Sequence, residues 1–387
     1  MRTRGHEGRP AITVDGDFPG GNIIVEKIRG TRIRVHQDPR DTDGFWFYWC
    51  FRARGAAGRR IRVTFTGGRV FGPRGPAWSG DGGNTWAWTS KAATRLGTFT
   101  FLVPDGATEA RFCFAVPYTE ADLARFLSCH AESTFLSVKT LCETRKGRRA
   151  EMLLAGALDK TPLYRVVVTA RHHACESVAS FVVEGLLEHV LGEDPDGDGA
   201  WFRDRVSFMV IPFVDKDGVE DGDQGKNRLP RDHNRDYDDR SLHPTVKAIK
   251  ELVPAWLAGV KTAALDLHCP YIHDERIQMI GLPDERQWAA VEAFSSALES
   301  VQRGTLRFHA KDNIPFSQAW NTARNTGKGL SFCSWAWKLP GMLLAATIEI
   351  PYATASGSEV NACTARSLGH DIARAMRAFL ERHATDR

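Results

Sequence analysis

Arg165-Val166-Val167-Val168-Thr169-Ala170, then His173-Ala174-Cys175-Glu176, then Ser177-Val178-Ala179-Ser180-Phe181-Val182-Val183-Glu184-Gly185-Leu186-Leu187-Glu188-His189-Val190-Leu191: this stretch decides the fold. Its first part is a β-branched run and predicts a buried strand. Its last part carries apolar residues at helical spacing and predicts a helix packed on that strand. Between them His173 and Glu176 stand three residues apart, one at a strand end and one at a helix start. So placed, an imidazole and a carboxylate can point at one cation, and such N and O donors suit a borderline-soft ion such as zinc. Alone the pair says little, since roughly one His-x-x-Glu match is expected by chance in a chain of this composition. A surface histidine and a helix-start glutamate favoured by the helix dipole read the same way. Residues further along the chain have to decide.

The chain has 387 residues, enough for two domains or one large one. Its formal charge of +4 is mild, and its basic clusters, at the N-terminus and at Arg145-Lys146-Gly147-Arg148-Arg149, do not form a stripe. No nucleic-acid partner is expected. No apolar run approaches a membrane span, and no apolar core follows the basic Met1-Arg2-Thr3-Arg4-Gly5-His6, so neither a membrane partner nor a secretory signal is expected. The eight cysteines are dispersed without a Cys-x-x-Cys, which reads as free thiols in a reducing cytoplasm. Cys175 and Cys269 adjoin candidate site residues but read as small packed side chains rather than nucleophiles.

Two textures divide the chain. Residues 1 to about 118 hold short strand-like runs at 22–28, 31–35, 45–51 and 60–65, separated by Gly, Pro and Asp, with Trp78, Trp86, Trp88, Phe99 and Phe101 continuing the aromatic pattern. Thr119, with Asp122 three residues on, then predicts a helix cap. Beyond it, strands at 164–170, 206–213, 262–268, 277–281 and 343–350 alternate with helices at 177–191, 243–258, 285–303 and 361–382. The expected architecture is an all-β sandwich domain over 1–118, followed over 119–387 by an α/β domain with a mixed central sheet and helices on both faces. Ligands in such sheets sit at the carboxyl ends of the strands.

Two more strand ends carry chemistry. Ala263-Ala264-Leu265-Asp266-Leu267-His268 offers His268 as a third ligand, with Asp266 on the same strand face to orient a ligand. His273 and His172 are rivals, His172 ranking lower because it gives His-x-x-x-Glu. Leu344-Ala345-Ala346-Thr347-Ile348-Glu349 carries one carboxylate in an apolar run, costly to bury unless a cation, metal or wet cleft adjoins it. Glu349 is the expected general base, taking a proton from water that the metal activates. A loop, Asn227-Arg228-Leu229-Pro230-Arg231-Asp232-His233-Asn234-Arg235-Asp236, packs arginines closely. There Asn234 and Arg235 suit a terminal carboxylate, and Arg231 or Arg228 a developing oxyanion. Asp194-Pro195-Asp196-Gly197-Asp198-Gly199 begins like an EF-hand loop, but Arg205 stands at its twelfth position, so it reads as an acidic surface turn.

Taken in order, His173-x-x-Glu176, the turn Phe213-Val214-Asp215-Lys216-Asp217-Gly218-Val219, Asn234-Arg235, Asp266-Leu267-His268 and Thr347-Ile348-Glu349 resemble the zinc metallocarboxypeptidases of the carboxypeptidase A superfamily. Trp46-Phe47-Tyr48 and Pro117-Tyr118-Thr119-Glu120-Ala121-Asp122-Leu123 are similar to the accessory domain and junction of its cytosolic carboxypeptidase branch. The resemblance implies one zinc ion on His173, Glu176 and His268, and Glu349 as general base and acid. It implies Asn234 and Arg235 on the substrate's terminal carboxylate and Arg231 on the scissile carbonyl, with Arg228 second there. The implied reaction is hydrolysis of the C-terminal amide bond of a peptide or protein. The departures are Cys175 where secreted members often carry Arg, Asp215-Lys216 in place of Asn-Pro, and no tyrosine between Tyr271 and Glu349. Arg324 or Lys328 suits an acidic terminal residue, whereas the position matching the branch's pocket arginine falls near Cys333. The alternatives are a non-catalytic metal- or peptide-binding module and a zinc amidoacylase acting on small N-acyl amino acids.

Overall fold

The computed structural model describes residues 10–44, 46–193, 196–326 and 329–384. The first ten strands form two five-stranded sheets. β1 (Thr13–Asp15), β4 (Cys50–Arg54), β6 (Ala77–Ser79), β7 (Ala87–Trp88) and β10 (Glu109–Cys113) lie in the order β1-β4-β10-β6-β7. β2 (Ile24–Arg29), β3 (Arg32–His36), β5 (Arg60–Phe65), β8 (Thr94–Arg95) and β9 (Thr98–Leu102) lie in the order β2-β3-β5-β9-β8. The period of two is plain in β3 and β5, where Ile33, Val35, Ile61 and Val63 are buried between exposed arginines. Side chains of the two sheets meet in an aromatic cluster, with the rings of Phe99 and Phe112 centred 5.1 Å apart.

The run predicted at 45–51 is strand only from Cys50 onward, and Phe45 lies outside the described residues. The physical reason is a competing partner. The backbone N–H groups of Phe47 and Tyr48 both donate to Gln224 Oε1 (3.2 and 2.8 Å), not to a strand.

The second part is built on one seven-stranded mixed sheet. Its strands are β11 (Leu136–Glu143), β12 (Arg149–Gly156), β13 (Tyr164–Ala170), β14 (Val206–Ile211), β15 (Lys261–His268), β16 (Gln278–Ile280) and β17 (Met342–Glu349), in the order β11-β12-β14-β13-β15-β17-β16. The four strands β14-β13-β15-β17 are parallel, and the flanking pairs are antiparallel. Burial on both faces is why these four read as continuous apolar runs. The β11–β12 hairpin was not expected; β11 is an edge strand whose half-exposed, polar-rich sequence gives a weak signal.

The helices are α1 (Glu120–Cys129), α2 (Val178–Leu191), α3 (Asp198–Arg205), α4 (Lys216–Asp221), α5 (Pro244–Leu257), α6 (Glu285–Val301), α7 (Ala323–Thr326), α8 (Phe332–Ala336) and α9 (Ala362–Arg382). α1 starts as expected, with the Thr119 N–H donating to Asp122 Oδ2 (2.8 Å). Helices α2, α6 and α9 share a core with Val166, Val168, Leu265 and Leu344 on one face of the sheet. On the other, α5 and α8 pack against Val167, Met209, Ala264 and Ala345. The chain passes from β13 to β14 on one side and returns to β15 on the other, so a topological switch point opens above the carboxyl ends of β13 and β15.

Helices α2 and α9 approach closely enough to need glycine. A Cβ on Gly185 would lie 2.0 Å from the Arg366 carbonyl oxygen, and one on Gly369 would lie 2.2 Å from that of Val182. Gly185→Ala should therefore force the helices apart and cost about 1–3 kcal/mol of stability, measured as a lowered denaturation midpoint.

Candidate metal centre

His173 and Glu176 lie in a turn just past β13, where the Glu176 N–H donates to the His173 carbonyl oxygen (3.2 Å). The helix proper begins at Val178, so Glu176 precedes its first turn. The turn hangs on Arg171, a buried residue at φ +61°. Its guanidinium donates to the Tyr118 carbonyl oxygen (3.0 Å), Ser180 Oγ (3.0 Å) and the Ala174 carbonyl oxygen (3.1 Å), which offsets that strained backbone. His268 ends β15 and Glu349 ends β17. The parallel register sets these two residues directly opposite each other.

Glu176 is fully buried and shared between two rings. Its Oε1 lies 2.9 Å from His173 Nδ1 and its Oε2 lies 2.8 Å from His268 Nδ1. Behind each ring stands a second carboxylate. Asp232 takes His173 Nε2 at 3.1 Å, and Asp266 takes His268 Nε2 at 2.7 Å. Asp232 and Asp266 orient the two rings through Nε2, so that both Nδ1 atoms turn toward Glu176. His173, Glu176 and His268 offer ligand atoms within 4.8 Å of one another, a group able to hold a metal ion.

Burial opposes the charge on Asp232, but His173 and Arg235 outweigh it and hold its carboxyl far below the usual range. His172 and His268 do the same for Asp266. Glu176 is held low against burial by Lys226, His173 and His268. Glu349 behaves oppositely. Burial pushes its carboxyl up although Lys226 and His268 act against it, and its buried Oε2 has no hydrogen-bond partner. An orphaned carboxylate oxygen beside a His–Glu–His donor set, with carboxylates behind both rings, fits a divalent cation that brings its own water.

Lys226 escaped the sequence reading. Its ammonium group donates to Glu176 Oε1 and to the Cys269 carbonyl oxygen (2.7 Å). Burial works against the charge, but Glu176, Cys175 and Glu349 hold it protonated. A Gly-Lys after an acidic turn was the available signal, overshadowed by the arginines that follow.

Those arginines are placed differently from expectation. Arg231 Nη1 donates to Asp236 Oδ1 (3.2 Å), Asp238 Oδ1 (2.9 Å) and the Arg240 carbonyl oxygen (2.9 Å), and no contact joins it to the His–Glu–His group. Arg228 is held by Asp215 and Asp223, bracing the turn at Asp215 that caps α4. Both guanidiniums are drawn off by aspartates that the sequence placed nearby without showing which way they face. Asn234 adjoins His268 on the side of the ring that Asp266 also holds, its Nδ2 lying 3.0 Å from Nε2 while its Oδ1 accepts from the Phe332 N–H (2.9 Å). Arg235 follows it, with Nη1 donating to the Asn234 carbonyl oxygen (2.7 Å).

Among the rivals, His172 is tied between Asp266 Oδ1 and the Tyr237 hydroxyl (both 2.8 Å), and His273 is exposed. Cys333, on α8, is buried in the apolar cluster between that helix and the sheet. Arg324 is exposed on α7, and Lys328 lies outside the described residues. In the acidic turn, Asp194 and Pro195 also lie outside them, and Asp198 takes His189 and Arg377.

No family model matches the chain. Human cytosolic carboxypeptidase 1 is 29% identical over 191 residues, which are 45% of this chain and 15% of the human protein. The chain thus spans about 15% of the length of the curated relatives it matches. A metallo-carboxypeptidase from Burkholderia cenocepacia superposes with a TM-score of 0.80 at 22% identity, covering 97% of this chain and all of that one. One from Pseudomonas aeruginosa gives 0.76 at 20% identity, covering 95% and 99%. The chain therefore has the mixed α/β fold of the metallo-carboxypeptidases.

Two outcomes follow from the geometry. Asp232→Asn should weaken binding of a divalent metal ion about 10- to 100-fold in a chelator competition, because His173 loses the carboxylate that orients its ring. Cys175, its thiol pushed up to about 12 by burial, should stay unlabelled by iodoacetamide at neutral pH while the exposed Cys129 and Cys363 react.

Proposed function

We propose that this chain, which has the metallo-carboxypeptidase fold and is related in sequence to the cytosolic carboxypeptidases, is a zinc-dependent carboxypeptidase that hydrolyses the C-terminal amide bond of a peptide or protein. The observation that carries the reading is Glu176 shared between two Nδ1 atoms, with the orphaned Glu349 Oε2 nearby. Zinc held by His173, Glu176 and His268 would supply Lewis acidity and make water a nucleophile near neutral pH.

The protein's own groups do the rest. Glu349, at a strand end and raised by burial, accepts the proton of the attacking water and returns it to the leaving amine. Lys226 takes the role expected of Arg231. Its largely buried ammonium is held at the centre by the Cys269 carbonyl and stabilises negative charge developing on the scissile carbonyl oxygen. Asn234, beside His268, and Arg235, whose Nη1 donates to the Asn234 carbonyl oxygen, receive the substrate's terminal carboxylate. We propose an acidic terminal residue as the substrate class, on Arg324, the cation that the sequence offers for its side chain. We read residues 1–118 as an accessory β-sandwich domain and 119–387 as the catalytic domain. The unpaired cysteines and the cytosolic relatives support a cytoplasmic site of action.

The test is release of free amino acids from peptides differing only in their last residue. Zinc-loaded protein should act, and chelation should abolish the activity. Glu349→Gln should lower kcat by about 10²–10⁴-fold with zinc stoichiometry unchanged. Lys226→Met should lower kcat by about 10²–10³-fold, whereas Arg231→Gln should change it little. Zinc-loaded protein inert on every peptide would overturn the reading.

A further inference from the structure

The outer face of the β2-β3-β5 sheet is cationic and nearly without counter-ions. Its outward positions include Lys27, Arg29, Arg32, Arg34, Arg60 and Arg62, all exposed. Arg29 stands opposite Arg32, and Arg32 opposite Arg62, so arginines form a row across three strands. Lys27 opposite Arg34 makes a second row beside it. The one carboxylate on these strands, Glu26, pairs with Arg34 at 3.3 Å; among the described residues no ion pair involves the other five cations.

Like charges set directly opposite each other destabilise a sheet. Protection of an exposed edge explains cations on β2, which is an edge strand, but not on β3 and β5, which lie inside the sheet. These three strands carry six Lys or Arg against one Glu, a net +5, while the whole chain carries +4. The chain's excess positive charge is gathered on this face. Lys27, Arg29, Arg32, Arg34 and Arg62 line a depression of about 320 Å³ there.

We propose that this face binds an acidic polypeptide segment in extended conformation. Outward side chains recur along a strand about every 6.6–6.8 Å, which is also the spacing of side chains on one side of an extended peptide. The guanidinium fork matches a carboxylate bidentately. Apart from the half-buried His36, no aromatic side chain stands among the outward positions of β2, β3 and β5, so nucleic-acid bases have little to stack on. This binding stands apart from the chemistry at the metal centre.

The experiment is an anisotropy titration of the full chain with a fluorescein-labelled oligoglutamate. Binding is expected at low salt, weakening as salt rises. Replacing two row members, Arg32→Ser with Arg62→Ser, should lower affinity about five- to tenfold, and Lys27→Ser with Arg29→Ser on the edge strand should act likewise. Arg276→Ser, exposed elsewhere, should leave it unchanged. The proposal is overturned if oligoglutamate does not bind at low salt, if both double variants bind as the parent does, or if a single-stranded oligothymidylate of equal charge or an anionic phospholipid vesicle binds more tightly.

Discussion

A fully buried carboxylate, Glu176, is the constraint from which the rest of the centre follows. Burial of an unpaired charge is costly, so the fold must surround it with positive or proton-donating groups. It does so from three directions: His173 from the turn after β13, His268 from the end of β15, and Lys226 from the loop after α4. The two imidazoles in turn are held by Asp232 and Asp266. Counting Glu349, four carboxylates stand against one ammonium and the guanidinium of Arg235, with the imidazoles of His172, His173 and His268 among them. That excess of negative charge is what makes the place suited to a dication.

The connections between the N-terminal strands contribute to this geometry, although none of the His–Glu–His ligands lies in them. The loop bearing Lys226 is clamped from outside. Asp41 accepts from the Gln224 and Gly225 N–H groups (3.1 and 2.8 Å), and Thr42 Oγ1 donates to the Lys226 carbonyl oxygen (2.6 Å). Asn22 Nδ2 donates to the Gly222 carbonyl oxygen (2.7 Å), and Gln224 returns the contact through Phe47 and Tyr48. The lysine thus reaches the centre from a loop whose backbone is fixed by residues about two hundred positions earlier. Rigid support of this kind is what an electrostatic role requires.

Strand ends were readable because β-branched and apolar runs stop abruptly at polar residues. The 164–170 run is strand over those residues, and His268 and Glu349 are the last residues of β15 and β17. The arginine loop was not readable in the same way. Arg231, Arg228 and Lys226 are all cations within six positions, and composition gives no reason to prefer one. Which of them faces the centre depends on where Asp215, Asp223, Asp236 and Asp238 stand after folding. Lys226 was overlooked for that reason, as was Asp232, whose partner His173 is distant in the chain.

From sequence alone came the alternation of strands and helices, the three strand ends and the residue types that hold a cation there, because those are local patterns of period and polarity. The tertiary structure decided the charge network. Ion pairs and second carboxylates join segments remote in the chain, and their direction is set by packing and desolvation. The His173–Glu176 pair is local in sequence, but its meaning as a centre depends on strand register bringing His268 and Glu349 to the same edge of the sheet.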